Sequence, residues 1–169
     1  MRNLEYKARV HDPGALQVRA LAIGANERGD LRQTDTYFNV PGGRLKLREI
    51  DGRHGELIFY KRDEEGVDRA SDYEVFRTPE AAVLRDLLGT ALGVIAVVKK
   101  RRTLLVLDGS RIHLDNVEGL GDFLELAVPV NGDDAPASRQ INRLLDELGL
   151  TWAECIRASY LDLVIETKR

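Results

Sequence analysis

The sequence predicts an α+β fold built on an antiparallel β-sheet or barrel. Runs of about six to nine residues alternate between apolar and polar side chains, as strands with one buried face do. Short turns such as Asp51-Gly52 and Asp108-Gly109 separate several of these runs. Helical patterns fill the remaining gaps, but strand and helix do not alternate strictly, so a parallel sheet of repeated β-α-β units is not expected.

The strands are read from alternation of apolar and polar residues along the chain. The clear ones are Asn3–Val10, Gly43–Glu49, Glu56–Arg62, Val97–Leu107, Arg111–Val117 and Gly121–Val130. Asp35–Val40 and Ser71–Phe76 alternate less regularly and are weaker candidates. Because the intervening turns are short, sequence neighbours among these strands are expected to pair antiparallel.

Helical spacing of apolar residues predicts helices in the gaps. The predicted helices are Pro13–Ile23, Pro79–Leu92 and Ser138–Leu148. Asp12 is a candidate N-cap for the first, followed by proline at its first position. Gly149 suits the left-handed conformation that ends the third. A last segment contains Ser159-Tyr160.

Length and composition are typical of one globular domain, expected to span residues 1–169. The single cysteine, Cys155, excludes an internal disulfide and a cysteine-rich zinc site. No apolar run approaches the roughly 20 residues of a membrane-spanning helix, so no membrane partner is expected. Because the first residues lack the apolar stretch of a signal peptide, we expect a cytoplasmic location. The sequence leaves the oligomeric state open and is compatible with a homodimer.

Charge is sorted between the two faces of the predicted strands. In a strand, residues i, i+2 and i+4 share a face. Lys7 and Arg9 therefore share one face of the first strand, and leucines alternate with a run of basic residues in the second clear one. The shared basic set is Lys7, Arg9, Arg44, Lys46, Arg48, Lys100, Arg102 and Arg111. Glu5, Asp115 and Glu125 are the acidic minority on these faces.

A densely basic sheet face indicates an anionic ligand, since like charges on paired strands repel one another. Arginine and lysine suit phosphate oxygens, and a few carboxylates suit a hard divalent cation. The sequence therefore predicts a polyphosphate bound together with Mg²⁺ or Mn²⁺. The formal net charge of −3 argues against nucleic acid as the partner but not against a small enclosed anion.

The series of local motifs resembles the CYTH superfamily, the triphosphate tunnel metalloenzymes. Asn3-Leu4-Glu5-Tyr6-Lys7 is similar to the family's opening E-x-E-x-K motif. Gly119-Leu120-Gly121-Asp122-Phe123-Leu124-Glu125 most resembles the class IV adenylyl cyclase branch. Further matches in order are Thr34–Phe38, Arg44–Arg48, Tyr60–Arg62, Ser71–Tyr73, Lys99–Arg102, Arg111–Asp115 and Ser159-Tyr160.

This resemblance implies an eight-stranded antiparallel β-barrel, with charged side chains inside and helices on its apolar exterior. It also implies a triphosphate substrate, such as ATP or inorganic or thiamine triphosphate, and a divalent metal. The leading hypothesis is conversion of ATP to cAMP and pyrophosphate. A triphosphatase acting on inorganic, thiamine or nucleoside triphosphates is the alternative, and a triphosphate-binding protein with little turnover is a further one.

The resemblance also assigns site residues by position. Glu5 and Glu125 correspond to metal ligands, with Asp115 and Asp122 at acidic positions near them. The phosphate-binding set is Lys7, Arg44, Lys46, Arg48, Arg62, Lys100, Arg102 and Arg111. Glu5, Lys7 and Lys100 are the catalytic candidates.

Two positions depart from the family pattern. Asn3 stands where the first glutamate of E-x-E-x-K is expected, and Ala127 stands where some members have a second glutamate. Fewer carboxylates lower the charge of the metal site, so weaker metal affinity is expected. Asn3 keeps the binding-protein alternative open, while Ala127 agrees with the cyclase branch.

Overall fold

The computed structural model describes residues 1–62 and 70–168, and the side chains of Arg62 and Ala70 are outside that description. Within these ranges the strands are β1 (Arg2–Arg9), β2 (Asn26–Phe38), β3 (Arg44–Ile50), β4 (His54–Arg62), β5 (Ala70–Thr78), β6 (Val94–Leu107), β7 (Ser110–Val117) and β8 (Gly121–Pro129). The helices are α1 (Pro13–Ala22), α2 (Ala81–Leu92), α3 (Asp134–Leu148) and α4 (Tyr160–Thr167). A short 3-10 turn covers Trp152–Glu154.

The eight strands close into an antiparallel barrel in the order β1-β5-β4-β3-β2-β6-β7-β8. β1 closes it, because it pairs with β5 on one side and with β8 on the other. The predicted turns at Asp51-Gly52 and Asp108-Gly109 both join neighbouring strands into tight hairpins. Asp108 and Gly109 both have positive φ, the conformation of a two-residue type I′ turn that matches the twist of the flanking strands. The fold is thus the predicted α+β class, with the sheet fully closed.

The two weaker strand predictions are confirmed in existence but not in length. β2 begins at Asn26, well before the predicted Asp35, and pairs with β6 over almost its whole length. Its first half carries no apolar alternation because most of those side chains are exposed.

α3 also begins earlier than the predicted Ser138: its first residue is Asp134, and Asp133 is its N-cap. Pro136 fits there, since the first turn of a helix needs no backbone N–H partner.

Helices cover the apolar outer face of the barrel. α1 and α3 pack against β1, β6, β7 and β8, and Tyr6, Leu124 and Leu144 are among the residues buried there. α2 packs against the other side over Leu47 and Phe38. Because outward residues are apolar, the charged residues that alternate with them point inward. No helix in the described ranges is long and apolar enough to cross a membrane.

Candidate active site

The barrel encloses a cavity of about 380 Å³ that is lined from all eight strands and from the start of α4. Its size falls in the usual range for small-molecule sites, roughly 300–1,000 Å³. Basic side chains predicted from strand parity line it, namely Lys7, Lys46, Arg48, Lys100, Arg102 and Arg111. Glu5 and Glu125 line the same cavity. The structure therefore brings together most of the predicted site.

Asp35 on β2 is the counterion at the centre of this basic lining. Its Oδ2 accepts from Lys46 Nζ at 3.0 Å and from Lys100 Nζ at 3.3 Å. Arg48 donates from Nε and Nη2 to both carboxylate oxygens at 2.8 Å. Burial raises the pKa of Asp35, but the charges of Arg48, Lys100 and Lys46 outweigh it and hold the pKa well below its usual value. Asp35 is therefore ionised and links three of the cations.

Lys100 has a lower pKa than an ordinary lysine. Its side chain is almost completely buried. Burial lowers the pKa of Lys100 to about 7, with Arg48 and Arg102 acting in the same direction and Asp35 and Asp115 opposing them. Its Nζ also lies 5.2 Å from the centre of the Tyr160 ring. An added anion beside Lys100 would favour its charged form.

Arg102 and Asp115 form a second buried pair across β6 and β7. Arg102 Nε and Nη2 donate to the two oxygens of Asp115 at 2.7 and 2.6 Å. The Tyr160 hydroxyl donates to Asp115 Oδ2 at 2.8 Å. Burial raises the pKa of Asp115, yet the charge and hydrogen bonds of Arg102 leave it below its usual value. Both oxygens of this predicted metal ligand are thus engaged with protein donors.

Glu125 lies among three basic groups near Glu5. Lys7 Nζ is 3.7 Å from Glu125 Oε2, and Arg102 Nη2 and His113 Nδ1 are each 3.4 Å from Oε1. Burial raises the pKa of Glu125, but the His113 hydrogen bond and the charges of Arg102 and Lys7 hold it well below its usual value. The carboxylate is therefore anionic at neutral pH and remains partly accessible from the cavity.

The pairing of β1 with β8 places Glu5 diagonally from Glu125. Glu5 is opposite Ala127, two residues beyond Glu125 on the same face. Diagonal neighbours on a sheet face lie about 7–8 Å apart, within reach of long side chains. Two glutamates on neighbouring inner positions provide the oxygen donors that Mg²⁺ and Mn²⁺ prefer. Among the described residues no group of three or more His, Cys, Asp or Glu side chains forms a metal cluster.

α4 lies across one end of the cavity. Tyr160 packs edge-on against the inner-face residue Phe123, with ring centres 5.1 Å apart. Lys7 Nζ sits 4.4 Å from the centre of the Tyr160 ring and donates to the carbonyl of Ala158 at 3.3 Å. Ser159 caps α4 in a capping box with Asp162, which fixes where the helix begins. The predicted Ser159-Tyr160 segment thus completes the cavity wall.

Comparison with known proteins identifies this architecture. The profile of the CYTH domain matches residues 1–160, nearly the whole chain. The chain belongs to the CYTH domain family. Its closed barrel with a basic interior and helices outside agrees with the fold expected from the resemblance.

The chain is similar to one protein named as an enzyme and to several proteins of known structure. Adenylate cyclase CyaB of Aeromonas hydrophila is 28% identical over 171 residues, covering 95% of this chain and 87% of that protein. A solved protein from Pyrococcus horikoshii matches with a TM-score of 0.80 and 26% identity, covering 95% of this chain and 98% of that one. A Hippeastrum protein described as a putative adenylyl cyclase matches with a TM-score of 0.66 and 17% identity, covering 99% and 96%.

Arg44 occupies a different place in the CYTH barrel from the other predicted phosphate ligands. Its guanidinium donates to both oxygens of Asp162 at 3.1 and 3.0 Å and to the Ser159 hydroxyl. It is not among the residues that line the cavity. Arg44 thus joins β3 to the start of α4, and its place in the phosphate-binding set stays a prediction. Arg62 ends β4, and its side chain lies outside the described part of the chain.

Asp122 is not brought together with the other acidic candidates. Parity places it with Leu124 and Leu126 on the outer face of β8, opposite to Glu125. Its Oδ1 accepts from the Asn116 amide at 2.7 Å. The metal-ligand assignment of Asp122 is therefore corrected, because its side chain points away from Glu125 and the cavity.

Asp35 and Gln33 were not predicted as site residues, and the contact between Asn3 and Arg111 was not predicted either. Parity along β2 would have found Asp35 and Gln33, since they share the inner face with Tyr37. For Asn3, the amide orientation that satisfies both polar atoms has its oxygen accepting from Arg111 Nη2 at 2.7 Å. Asn3 therefore orients Arg111 at a position where the family motif has glutamate.

Proposed function

We propose that this protein binds a triphosphate inside the barrel and processes it in a reaction that depends on a divalent metal. The leading reaction is cyclisation of ATP to cAMP with release of pyrophosphate. One observation carries the proposal: Lys7, Lys46, Arg48, Lys100, Arg102 and Arg111 all face one cavity inside the barrel. A face so rich in cations gains most from a multivalent anion that reaches several of them at once.

The arrangement of cations suits an extended phosphate chain. Arginine presents a planar fork to two phosphate oxygens, whereas lysine acts as a compact point charge. Asp35 and Asp115 hold the head groups of Arg48 and Arg102 in place before substrate arrives. Such preorganised charge needs little rearrangement when negative charge develops on the departing pyrophosphate. Charge neutralisation and positioning supply most of catalysis in phosphoryl chemistry.

Glu5 and Glu125 fit a divalent ion that arrives with the substrate. Mg²⁺ is commonly held by one or two carboxylates together with phosphate oxygens rather than by a complete cage of protein ligands. Two inward glutamates, without a larger acidic cluster in the described ranges, match that pattern. When bound, Mg²⁺ or Mn²⁺ neutralises phosphate charge and lowers the pKa of the attacking oxygen.

In cyclisation the ribose 3′ oxygen forms a bond to the α-phosphorus while the bond to the β-phosphate oxygen breaks. The proton of the 3′ hydroxyl is released, and pyrophosphate leaves with the electron pair of the broken bond. Lys7 and Lys100 face the cavity where they can pair with phosphate oxygens during this step. The 28% sequence identity to adenylate cyclase CyaB supports this reaction over the alternatives.

Triphosphate hydrolysis is the second candidate. The Hippeastrum protein, a putative adenylyl cyclase, has a dominant triphosphatase activity. The same basic lining would serve hydrolysis, with water instead of the 3′ hydroxyl as nucleophile. Binding with little turnover is the further alternative, because Asn3 replaces a family glutamate. A sharp rise in activity in Asn3→Glu would support that alternative.

Incubation of the purified protein with ATP and Mn²⁺, followed by chromatography, tests the proposal. The expected result is cAMP and pyrophosphate, while phosphate as the main product would favour the triphosphatase. Inorganic and thiamine triphosphate are run in parallel. If all three substrates survive, the enzymatic proposal fails.

A further inference from the structure

Gln33 is a buried polar residue of the cavity wall that the proposed phosphate chemistry does not use. It is only 5% exposed and lines the cavity from β2. Among the residues that the structure describes, none hydrogen-bonds its Oε1. Buried side-chain oxygens nearly always have a partner, so an unpartnered one in a cavity wall calls for an explanation.

Gln33 stands where aliphatic side chains are interleaved with the charged lining of the cavity. Its neighbours across the sheet are Ile50 on β3 and Lys100 on β6. Along β2, Asp35 lies two residues further on the same face and Leu31 two residues before. Leu31 and Ile50 line the cavity but carry no group that binds phosphate.

Leu104 extends this apolar part of the wall. It follows Arg102 on the inner face of β6, and Gly29 two residues before Leu31 is its partner on β2. Gln33 thus has Lys100 across from it on β6, while Leu31 and Ile50 lie next to it and Arg102 lies across from Leu31. Leu31, Ile50 and Leu104 therefore offer aliphatic contacts to an organic group attached to a phosphate chain that is held by the nearby cations.

We propose that Gln33 is a specificity-determining residue that accepts a hydrogen bond from the organic group of the substrate. Phosphate oxygens at neutral pH are acceptors and offer no proton to Oε1. A ribose hydroxyl or an exocyclic amino group of a base does. The last torsion of a glutamine is soft, so the amide can turn toward such a donor without repacking of the wall. This inference rests on the proposed function and selects a nucleoside triphosphate over inorganic triphosphate.

Gln33→Met tests the inference, since methionine keeps the length of the side chain and removes its hydrogen bonding. Gln17→Met is the matched control, because Gln17 lies on α1 outside the barrel. ATP and inorganic triphosphate are titrated calorimetrically into each protein, first with a chelator and then with Mg²⁺. Gln33→Met should weaken ATP binding about three- to tenfold, the value of one neutral hydrogen bond, and leave inorganic triphosphate within about twofold.

Thermal unfolding separates this role from a purely structural one. Because Oε1 is unpartnered in the folded protein, Gln33→Met should leave the melting temperature unchanged or raise it. Equal weakening of both ligands, or no change for either, would overturn the inference. If the native protein binds neither ligand under either condition, the proposed function fails as well, which distinguishes the two failures.

Analogues of ATP identify the donor. Triphosphates of 2′-deoxyadenosine, 3′-deoxyadenosine and unsubstituted purine riboside each lack one donor group. The analogue that lacks the group bound by Gln33 should bind the native protein about three- to tenfold more weakly than ATP, and Gln33→Met should bind it as it binds ATP. If the native protein binds all three analogues as tightly as ATP, no donor is recognised and the inference is wrong.

Discussion

Lys100 and Asp35 form an ion pair inside the barrel, with Nζ 3.3 Å from Oδ2 and each side chain only 1% exposed. The same carboxylate also pairs with Lys46 and Arg48. A single acidic residue therefore pairs with three cations that are proposed to bind phosphate, and positive charge remains in excess around it. The basic lining is held in place by this counterion before a ligand enters.

Replacement of Asp35 by asparagine should destabilise the fold strongly. Breaking a buried ion pair by removing one partner typically costs about 3–5 kcal/mol, because a charge is left without compensation. Urea unfolding measures this loss. Inorganic triphosphate should restore more stability to Asp35→Asn than it adds to the native protein, because the anion takes over the missing negative charge.

Asp30→Asn provides the control for this change. Asp30 pairs with Arg101 on the exposed surface, where ion pairs contribute about 0–1 kcal/mol. Its replacement should change the free energy of unfolding by less than about 1 kcal/mol. A loss in Asp35→Asn no larger than that of Asp30→Asn would show that the cluster is not held by Asp35.

Triphosphate binding should draw a proton onto Lys100. Burial lowers the pKa of Lys100 to about 7, so much of the side chain is neutral at about pH 8. Asp35, Asp115, Arg48, Arg102 and Tyr160 surround it, and an added phosphate favours its charged form. Calorimetry in buffers of different ionisation enthalpy should show uptake of close to one proton at about pH 8, and affinity should fall as pH rises above about 7.

Lys100→Arg should abolish this proton uptake, because arginine stays charged throughout the range. Equal uptake by Lys100→Arg and the native protein would assign the proton to another group. The same shift affects folding. The folded pKa of about 7 lies below the ordinary value of 10.5, so the unfolded chain binds more protons between them and stability contributed by Lys100 rises with pH across that window.

Arg44 should matter more for the attachment of α4 than for phosphate binding. Its two hydrogen bonds to Asp162 join β3 to the first turn of α4. Arg44→Lys removes the paired geometry of these bonds and should speed amide hydrogen exchange in α4. A double-mutant cycle with Asp162→Asn should give a coupling energy of about 0.5–1 kcal/mol, since both side chains are partly exposed.

The second part of the prediction concerns the affinity of Arg44→Lys for inorganic triphosphate. Arg44→Lys should leave it within about twofold of the native value, since Arg44 does not line the cavity. A loss of affinity in Arg44→Lys without faster exchange in α4 would return Arg44 to the phosphate-binding set.

Period-two alternation predicted most, but not all, of the basic strand residues that line the cavity. Lys46, Arg48, Lys100 and Arg102 all lie on the inner face that their parity assigns. Parity alone did not show which inner residues the substrate reaches. Asp115 is an inner residue whose oxygens are both taken by Arg102 and Tyr160. That outcome depends on contacts across strands and with α4, which are distant in sequence.

The sequence was least informative where pairing, rather than side-chain burial, defines an element. The first half of β2 has mostly exposed side chains and is a strand because its backbone pairs with β6. Asp122 was placed near the metal through its position in a motif, although its own parity sets it on the outer face with Leu124. Closure of β1 against β5 and β8 likewise involves strands far apart in the chain.

Glu5→Gln should separate binding from turnover. Loss of one of two carboxylates weakens the proposed metal site, so metal-dependent turnover should fall by at least about tenfold. Affinity for inorganic triphosphate in the presence of a chelator should stay equal or rise, because one negative charge leaves the cavity. Glu56→Gln is the matched control, since Glu56 lines the same cavity but pairs with Arg77.

The two glutamine variants are compared by initial rates at increasing Mg²⁺ or Mn²⁺ concentration. Glu5→Gln should need more metal to reach half of its maximal rate, while Glu56→Gln should follow the native curve. Unchanged metal dependence in Glu5→Gln would remove Glu5 from the proposed metal ligands.

Binding of inorganic triphosphate by Arg111→Gln and Arg101→Gln tests the central claim most directly. Arg111 lines the cavity, whereas Arg101 pairs with Asp30 on the exposed outer surface, so the two variants lose the same charge on opposite sides of the barrel wall. If the interior binds the triphosphate, calorimetry should show native affinity in Arg101→Gln and a loss of about tenfold or more in Arg111→Gln. No binding by the native protein, or equal affinity in the two variants, would contradict the proposal that the triphosphate is held inside the barrel.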